Sequence, residues 1–198
     1  MDRLISRART RQRIAEHILR ELALVERWNR VGDCRIVGSV AHHLVVAPDI
    51  DLEVWCPEPR IEDGFDILQA CAQHPNVTKA RFWNALGPPH HGLYWQLRHV
   101  HDDEEWKIDT WSIAHTYSGP CGTHLVEPMR AALTDDTRQL ILRLKEAVFR
   151  DASLEVPSIQ IYRAVLDDGV QTFEELEGWL PANKLDGVVT DWLPREER

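Results

Sequence analysis

Cys34-Arg35-Ile36-Val37-Gly38-Ser39-Val40-Ala41 and Asp49-Ile50-Asp51-Leu52-Glu53-Val54-Trp55 are short β-branched segments divided by a turn at Pro48, and they read as two adjacent strands. In the second, Asp49 and Asp51 are two residues apart, so both carboxylates leave one face of the strand while Ile50, Leu52 and Val54 take the opposite, core-facing side. Unit charges about 4 Å apart repel by roughly 4 kcal/mol at an effective dielectric near 20. Such a pair favours a cation between its members, and a hard divalent ion such as Mg²⁺ suits it. A solvated strand face would also hold two acids, and close acids recur at Asp102-Asp103, Asp135-Asp136 and Asp167-Asp168.

Two further elements join this pair. Gly38-Ser39 lies at an apolar strand, ten residues before Asp49. Small residues there let the backbone approach a phosphate and add a hydroxyl donor. Asp109 is a lone carboxylate inside the aromatic, β-forming run Glu105-Trp106-Lys107-Ile108-Asp109-Thr110-Trp111. A buried acid must be paired or bind a metal.

Outward from this centre, Leu4, Ile14, Ile18, Leu22, Val25 and Trp28 recur at helical spacing, which predicts one amphipathic helix over 3–30 with Gly32 as its stop. A short helix is expected at 64–74 and strands around 77–84, 92–100 and 105–113. Beyond Gly122 the chain turns helical: Leu140, Ile141, Leu144 and Val148, a second stretch from Pro157 to Leu166, and a capping box at Thr172 and Glu175 before Pro181. Helix, then mixed sheet, then helices makes the class α+β. The expected organisation is a domain over about 1–120 and a helical segment over about 130–193 that packs on it.

Among 198 residues there are 23 Lys and Arg against 32 Asp and Glu, a formal charge of −9. That charge opposes long nucleic acid as a partner, because duplex binding rests on clustered cations. No apolar run approaches the roughly 18 residues of a membrane span. Cys34, Cys56, Cys71 and Cys121 match no zinc-ligand spacing, so reduced thiols in a cytoplasm are the expectation.

The apolar strand with Gly38-Ser39, the nine intervening residues, Asp49-Ile50-Asp51 on the next strand and the later strand-borne Asp109 together resemble the nucleotidyltransferase superfamily that includes DNA polymerase beta. Within it, Gly38-Ser39-Val40-Ala41 and Pro48-Asp49-Ile50-Asp51-Leu52 are most similar to the minimal and antibiotic nucleotidyltransferases. Where those proteins often carry an Arg soon after the Gly-Ser, this chain has His42 and His43. The resemblance spans residues 34–113.

It implies an α+β core with a mixed sheet. It also implies that Asp49, Asp51 and Asp109 are the catalytic, Mg²⁺-holding carboxylates, and that Asp109 lies beside the acceptor hydroxyl. Gly38 and Ser39 would grip the phosphates of a nucleoside triphosphate, taken as ATP, with Lys145 or Arg138 as a cation on a following helix. Glu53 shares the strand face of the aspartates and is a candidate helper. The activity implied is transfer of AMP from Mg-ATP to a hydroxyl-bearing acceptor.

The charge of −9 favours a cationic or neutral small acceptor of aminoglycoside or lincosamide type. Trp83, His90, His91, Tyr94, Trp95, Trp106 and Trp111 are candidate walls of its pocket. Two alternatives stay open: an antitoxin-type enzyme that modifies a partner protein on a hydroxyl, and a non-catalytic protein of the same fold that binds a nucleotide or partner. His99-Val100-His101-Asp102-Asp103-Glu104 begins like the HxHxDH motif of metallo-β-lactamase-fold enzymes, but Glu104 stands in place of its last His.

Overall fold

Helical spacing of apolar residues folds the N-terminus into α1 (Asp2–Glu21). The single helix expected through residue 30 is broken: Ala23 takes a left-handed conformation, and the chain restarts as α2 (Leu24–Trp28). The bend brings Leu22, Leu24 and Trp28 into one core. The computed structural model describes residues 2–151, 153–185 and 191–195.

The class is α+β, built on one mixed sheet. Strands β1 (Asp33–Val37), β2 (Asp49–Cys56), β3 (Val77–Ala85), β4 (Gly92–His101) and β5 (Glu104–Ala114) lie in the order β1-β2-β5-β4-β3. Only β2 and β5 pair in parallel. Parallel neighbours need a long crossover, and α4 (Ile61–Ala72) followed by the β3–β4 hairpin supplies it. Gly64 of α4 leaves room for the Trp95 ring, which would lie 2.2 Å from a Cβ at that position. Asp102 and Asp103, both at positive φ, make the two-residue turn between β4 and β5. That turn explains one of the acidic doublets without a ligand.

The first strand stops short of the expected Ala41. Gly38, at φ 61, ends the extended run, and Gly38–Ala41 forms the single turn α3. After the sheet come α5 (Thr123–Ala132), α6 (Asp135–Arg150), α7 (Ser158–Leu166) and α8 (Phe173–Trp179). The capping box opens α8 as expected: Thr172 Oγ1 accepts from the Glu175 N–H, and the Glu175 carboxylate accepts from the Thr172 N–H. The helix ends two residues before Pro181. Parts of the expected helical segment, residue 152 and residues 186–190, lie outside the described residues.

Two apolar clusters hold these elements. Ile18, Trp28, Leu52, Trp95, Trp106 and Ile108 belong to the one beneath α1, α2 and α4. Leu44 and Val46 join α5 to α8 in the other, and α1 serves both through Ala15 and Ala8. Trp95 and Trp106 are therefore core residues, which removes them from the expected acceptor wall: alternation turns them to the helix-covered face. No described helix is long and apolar enough to cross a membrane.

Candidate active site

The parallel register sets Asp49 opposite Lys107 and Asp51 opposite Asp109. Because Ile50, Leu52, Ile108 and Thr110 are buried on the other face, period-two alternation gathers the four charged residues on one side of the sheet. Carboxylate oxygens of Asp49, Asp51 and Asp109 lie within 4.8 Å of one another. Lys107 Nζ bridges two of them, 3.1 Å from Asp49 Oδ2 and 2.9 Å from Asp109 Oδ2. Sequence reasoning overlooked Lys107, although its place two residues before Asp109 already assigned it to that face.

Among the described residues Lys107 alone forms ion pairs with these acids, and Lys145 acts on Asp49 and Asp51 from further away. The consequences appear in the titration of the site. Burial, reinforced by Asp49 and Asp109, pushes the Asp51 carboxyl up to about 8. Asp49 is raised, chiefly by burial and against the pull of Lys107. Burial alone would lower the Lys107 ammonium, but Asp49 and Asp109 outweigh it and hold it above its ordinary value. Asp109 also accepts from Gln96 Nε2 at 3.0 Å, and Gln96 Nε2 donates to the Tyr94 hydroxyl at 2.7 Å.

Two observations fit a divalent cation to this set. Asp49 Oδ1 is buried with no hydrogen-bond partner among the described residues, an unused ligand atom of a kind that is rare in folded proteins. A Cβ on Gly38 would lie 2.3 Å from Asp51 Oδ2, so the turn after β1 has space for that carboxylate only because residue 38 is glycine.

Lys145 comes from α6, far along the chain, to the same turn. Its ammonium is buried and donates to Ser39 Oγ at 2.7 Å, the Leu44 carbonyl at 2.9 Å and the Tyr162 hydroxyl at 3.2 Å. Among the described residues no carboxylate forms an ion pair with it. Arg138 instead donates to the His42 carbonyl. The structure thus brings Gly38, Ser39 and Lys145 together beside the three aspartates.

His42 is buried edge-on to Tyr162. Burial, then Lys145, Arg138 and His43, lower its imidazole to about 4. A histidine near 6.5 when unfolded takes up a proton between those values only in the unfolded state, so its contribution is present above pH 6.5 and lost as pH falls toward 4. Relative to His42→Gln, the parent is therefore expected to lose roughly 2–3 kcal/mol between pH 7 and pH 4.5, read as the difference between urea melts of the two proteins at each pH, in which the opposite trend of the aspartates cancels.

Glu53 belongs to another task. It accepts from the Gly122 N–H at 2.6 Å, the Thr123 N–H at 2.9 Å and the Thr123 hydroxyl at 2.5 Å, which ties the start of α5 to β2 and corrects its reading as a helper to the aspartates. Glu53→Ala leaves three donors without an acceptor and is expected to cost about 2–4 kcal/mol in denaturant melts.

The aromatic residues divide by parity. Tyr94 and Trp111 face the aspartate side with ring centroids 5.0 Å apart, and His90 lies 5.5 Å from Trp111. Trp83 pairs with Tyr94 across β3 and β4 and is 67% exposed. His91 sits 6.0 Å from Tyr117 instead.

No family model matches the chain, and no curated protein matches it. Solved structures to which the chain is similar include the non-canonical poly(A) polymerase complex GLD-2–GLD-3 (TM-score 0.49, 14% identity, 94% of this chain and 67% of that one). Others are the GLD-2/RNP-8 complex (TM-score 0.47, 14% identity, 94% and 70%) and the E. coli MS115-1 CdnC:HORMA-deltaN complex (TM-score 0.47, 14% identity, 85% and 62%).

Proposed function

We propose that this chain is a nucleotidyltransferase that moves AMP from Mg-ATP to a hydroxyl of a small acceptor. The carrying observation is the convergence of Asp49, Asp51 and Asp109 beside the Gly38-Ser39 turn and the Lys145 ammonium. On this reading Asp49, Asp51 and Asp109 hold the divalent ions, which when bound neutralise phosphate charge and favour in-line displacement. Gly38 and Ser39 bind the distal phosphates, Lys145 supplies their counter-charge, and Asp109 accepts the proton of the attacking hydroxyl. Attack at the α-phosphorus forms the new P–O bond as the bond to pyrophosphate breaks. Positioning and fixed charge provide most of the acceleration.

A cavity of about 310 Å³ beside Lys145 has one wall of Val46, Val148, Phe149 and Ile161, which offers apolar surface to the nucleobase, and a polar rim of Asp151, Glu155 and Ser158. Trp83, Tyr94, Trp111 and His90 extend from Asp109 as a platform for the acceptor. In this assignment residues 1–120 are the transfer domain, and the segment 130–193 contributes Lys145 to its site.

Thermal melts with ATP, GTP, CTP and UTP, each with and without Mg²⁺, test the nucleotide site. Ligand at 100 times its Kd adds about 2.7 kcal/mol, and at roughly 2–4 °C per kcal/mol the expected rise is about 5–10 °C. It should require Mg²⁺ and be largest for ATP. Label from α-³²P-ATP should then appear on kanamycin- or lincomycin-type acceptors. Label on a protein instead would favour the antitoxin-type enzyme, a shift without any transfer the binding protein, and no shift with any nucleotide would overturn the reading.

A further inference from the structure

The histidine-rich run of β4 has a role apart from the aspartates. His99 and His101 point to the helix-covered face of the sheet, opposite to Gln96 and Asp109, and meet residues from two other elements there. His99 is fully buried, and its Nε2 lies 3.1 Å from Glu21 Oε2 at the end of α1. His74, just past α4, places its Nε2 3.5 Å from Glu21 Oε1. One ligand atom from each of Glu21, His74 and His99 falls within 4.8 Å of the others.

We infer that Glu21, His74 and His99 form a second metal site, which takes a divalent transition ion of the zinc class and ties the end of α1, the end of α4 and β4 together. Two imidazoles and a carboxylate are a donor set such ions favour; each imidazole Nε2 faces its own oxygen of the Glu21 carboxylate, and one ligand atom from each residue lies within 4.8 Å of the others, so a small shift of these side chains brings all three onto one ion. Among the described residues no Lys or Arg pairs with Glu21; its ion-pair partners are His17, His74 and His99. His99 Nδ1 is buried without a partner among the described residues, so this ring sits in the interior with Glu21 as its single hydrogen-bonding contact.

His17 Nε2, 4.0 Å from Glu21 Oε2 and half-exposed, stands at the open side where water or this ring completes the coordination. Binding through His74 Nε2 places the proton on Nδ1. That releases the long 3.3 Å bond from the Asn76 N–H, which is exposed and passes to water. Asp102 and Asp103 take no part, because they form the hairpin turn.

The test is a Co²⁺ titration of the full chain followed in the visible, with Mg²⁺ present throughout, alongside His74→Gln, Glu21→Gln and Asp51→Asn. One equivalent should produce an intense tetrahedral band in the full chain and in Asp51→Asn. Both His74→Gln and Glu21→Gln alter partly exposed residues; with folding confirmed by circular dichroism, each should bind at least about tenfold more weakly. Zn²⁺ should raise the melting temperature of the full chain and not that of His74→Gln. A full chain without the band, unchanged affinity in the two site variants, or loss of the band in Asp51→Asn would each overturn the assignment.

Discussion

Under the proposed function, Asp51→Asn is expected to lower nucleotidyl transfer by about 10³-fold or more while leaving the metal-free protein more stable than the parent. The two effects share one cause. Asp51 lies opposite Asp109 in the parallel register, is two residues from Asp49, and has its carboxyl pushed up to about 8 by burial and both neighbours. A carboxyl that ionises near 4 when unfolded and near 8 when folded disfavours the folded state as pH rises between those values. Relative to the Asn variant, the parent in EDTA should therefore lose stability from pH 5 to pH 8, the contribution of His42 being common to both proteins. Melts at both pH values measure it, and Mg²⁺ should restore the parent but not the variant. Full transfer activity in Asp51→Asn would remove the metal assignment.

Gly38→Ala should damage both stability and activity. At φ 61 an alanine costs about 1–2 kcal/mol, and its Cβ would stand 2.3 Å from Asp51 Oδ2. The carboxylate has to move, and a displacement of about 1 Å at a reacting centre can cost on the order of 10²-fold in rate. Denaturant melts and initial rates on one preparation separate the two losses. Gly87→Ala is the control, since a Cβ there meets nothing within 4 Å; equal losses in both variants would refute a specific role for Gly38.

Much of the site is written in short-range pattern. Alternation along β2 orients Asp49 and Asp51, a glycine after an apolar strand marks the turn, and Thr172 with Glu175 marks a helix start, because each depends on backbone geometry over a few residues. The same local reading ran α1 through to residue 30, since a single left-handed alanine leaves no trace in hydrophobic period.

Partnerships across the chain are another matter. That Lys107 lies between Asp49 and Asp109, that Lys145 reaches Ser39, that Glu53 holds α5, and that Trp95 and Trp106 turn inward all depend on which strands pair and in what register. The sequence alone determined the α+β class, the strand-borne acids and the turn beside them, because those follow from periodicity and local sterics. Only the tertiary structure decided which charges meet, because the positions of side chains distant in sequence are set by the packing of the sheet and its helices as a whole.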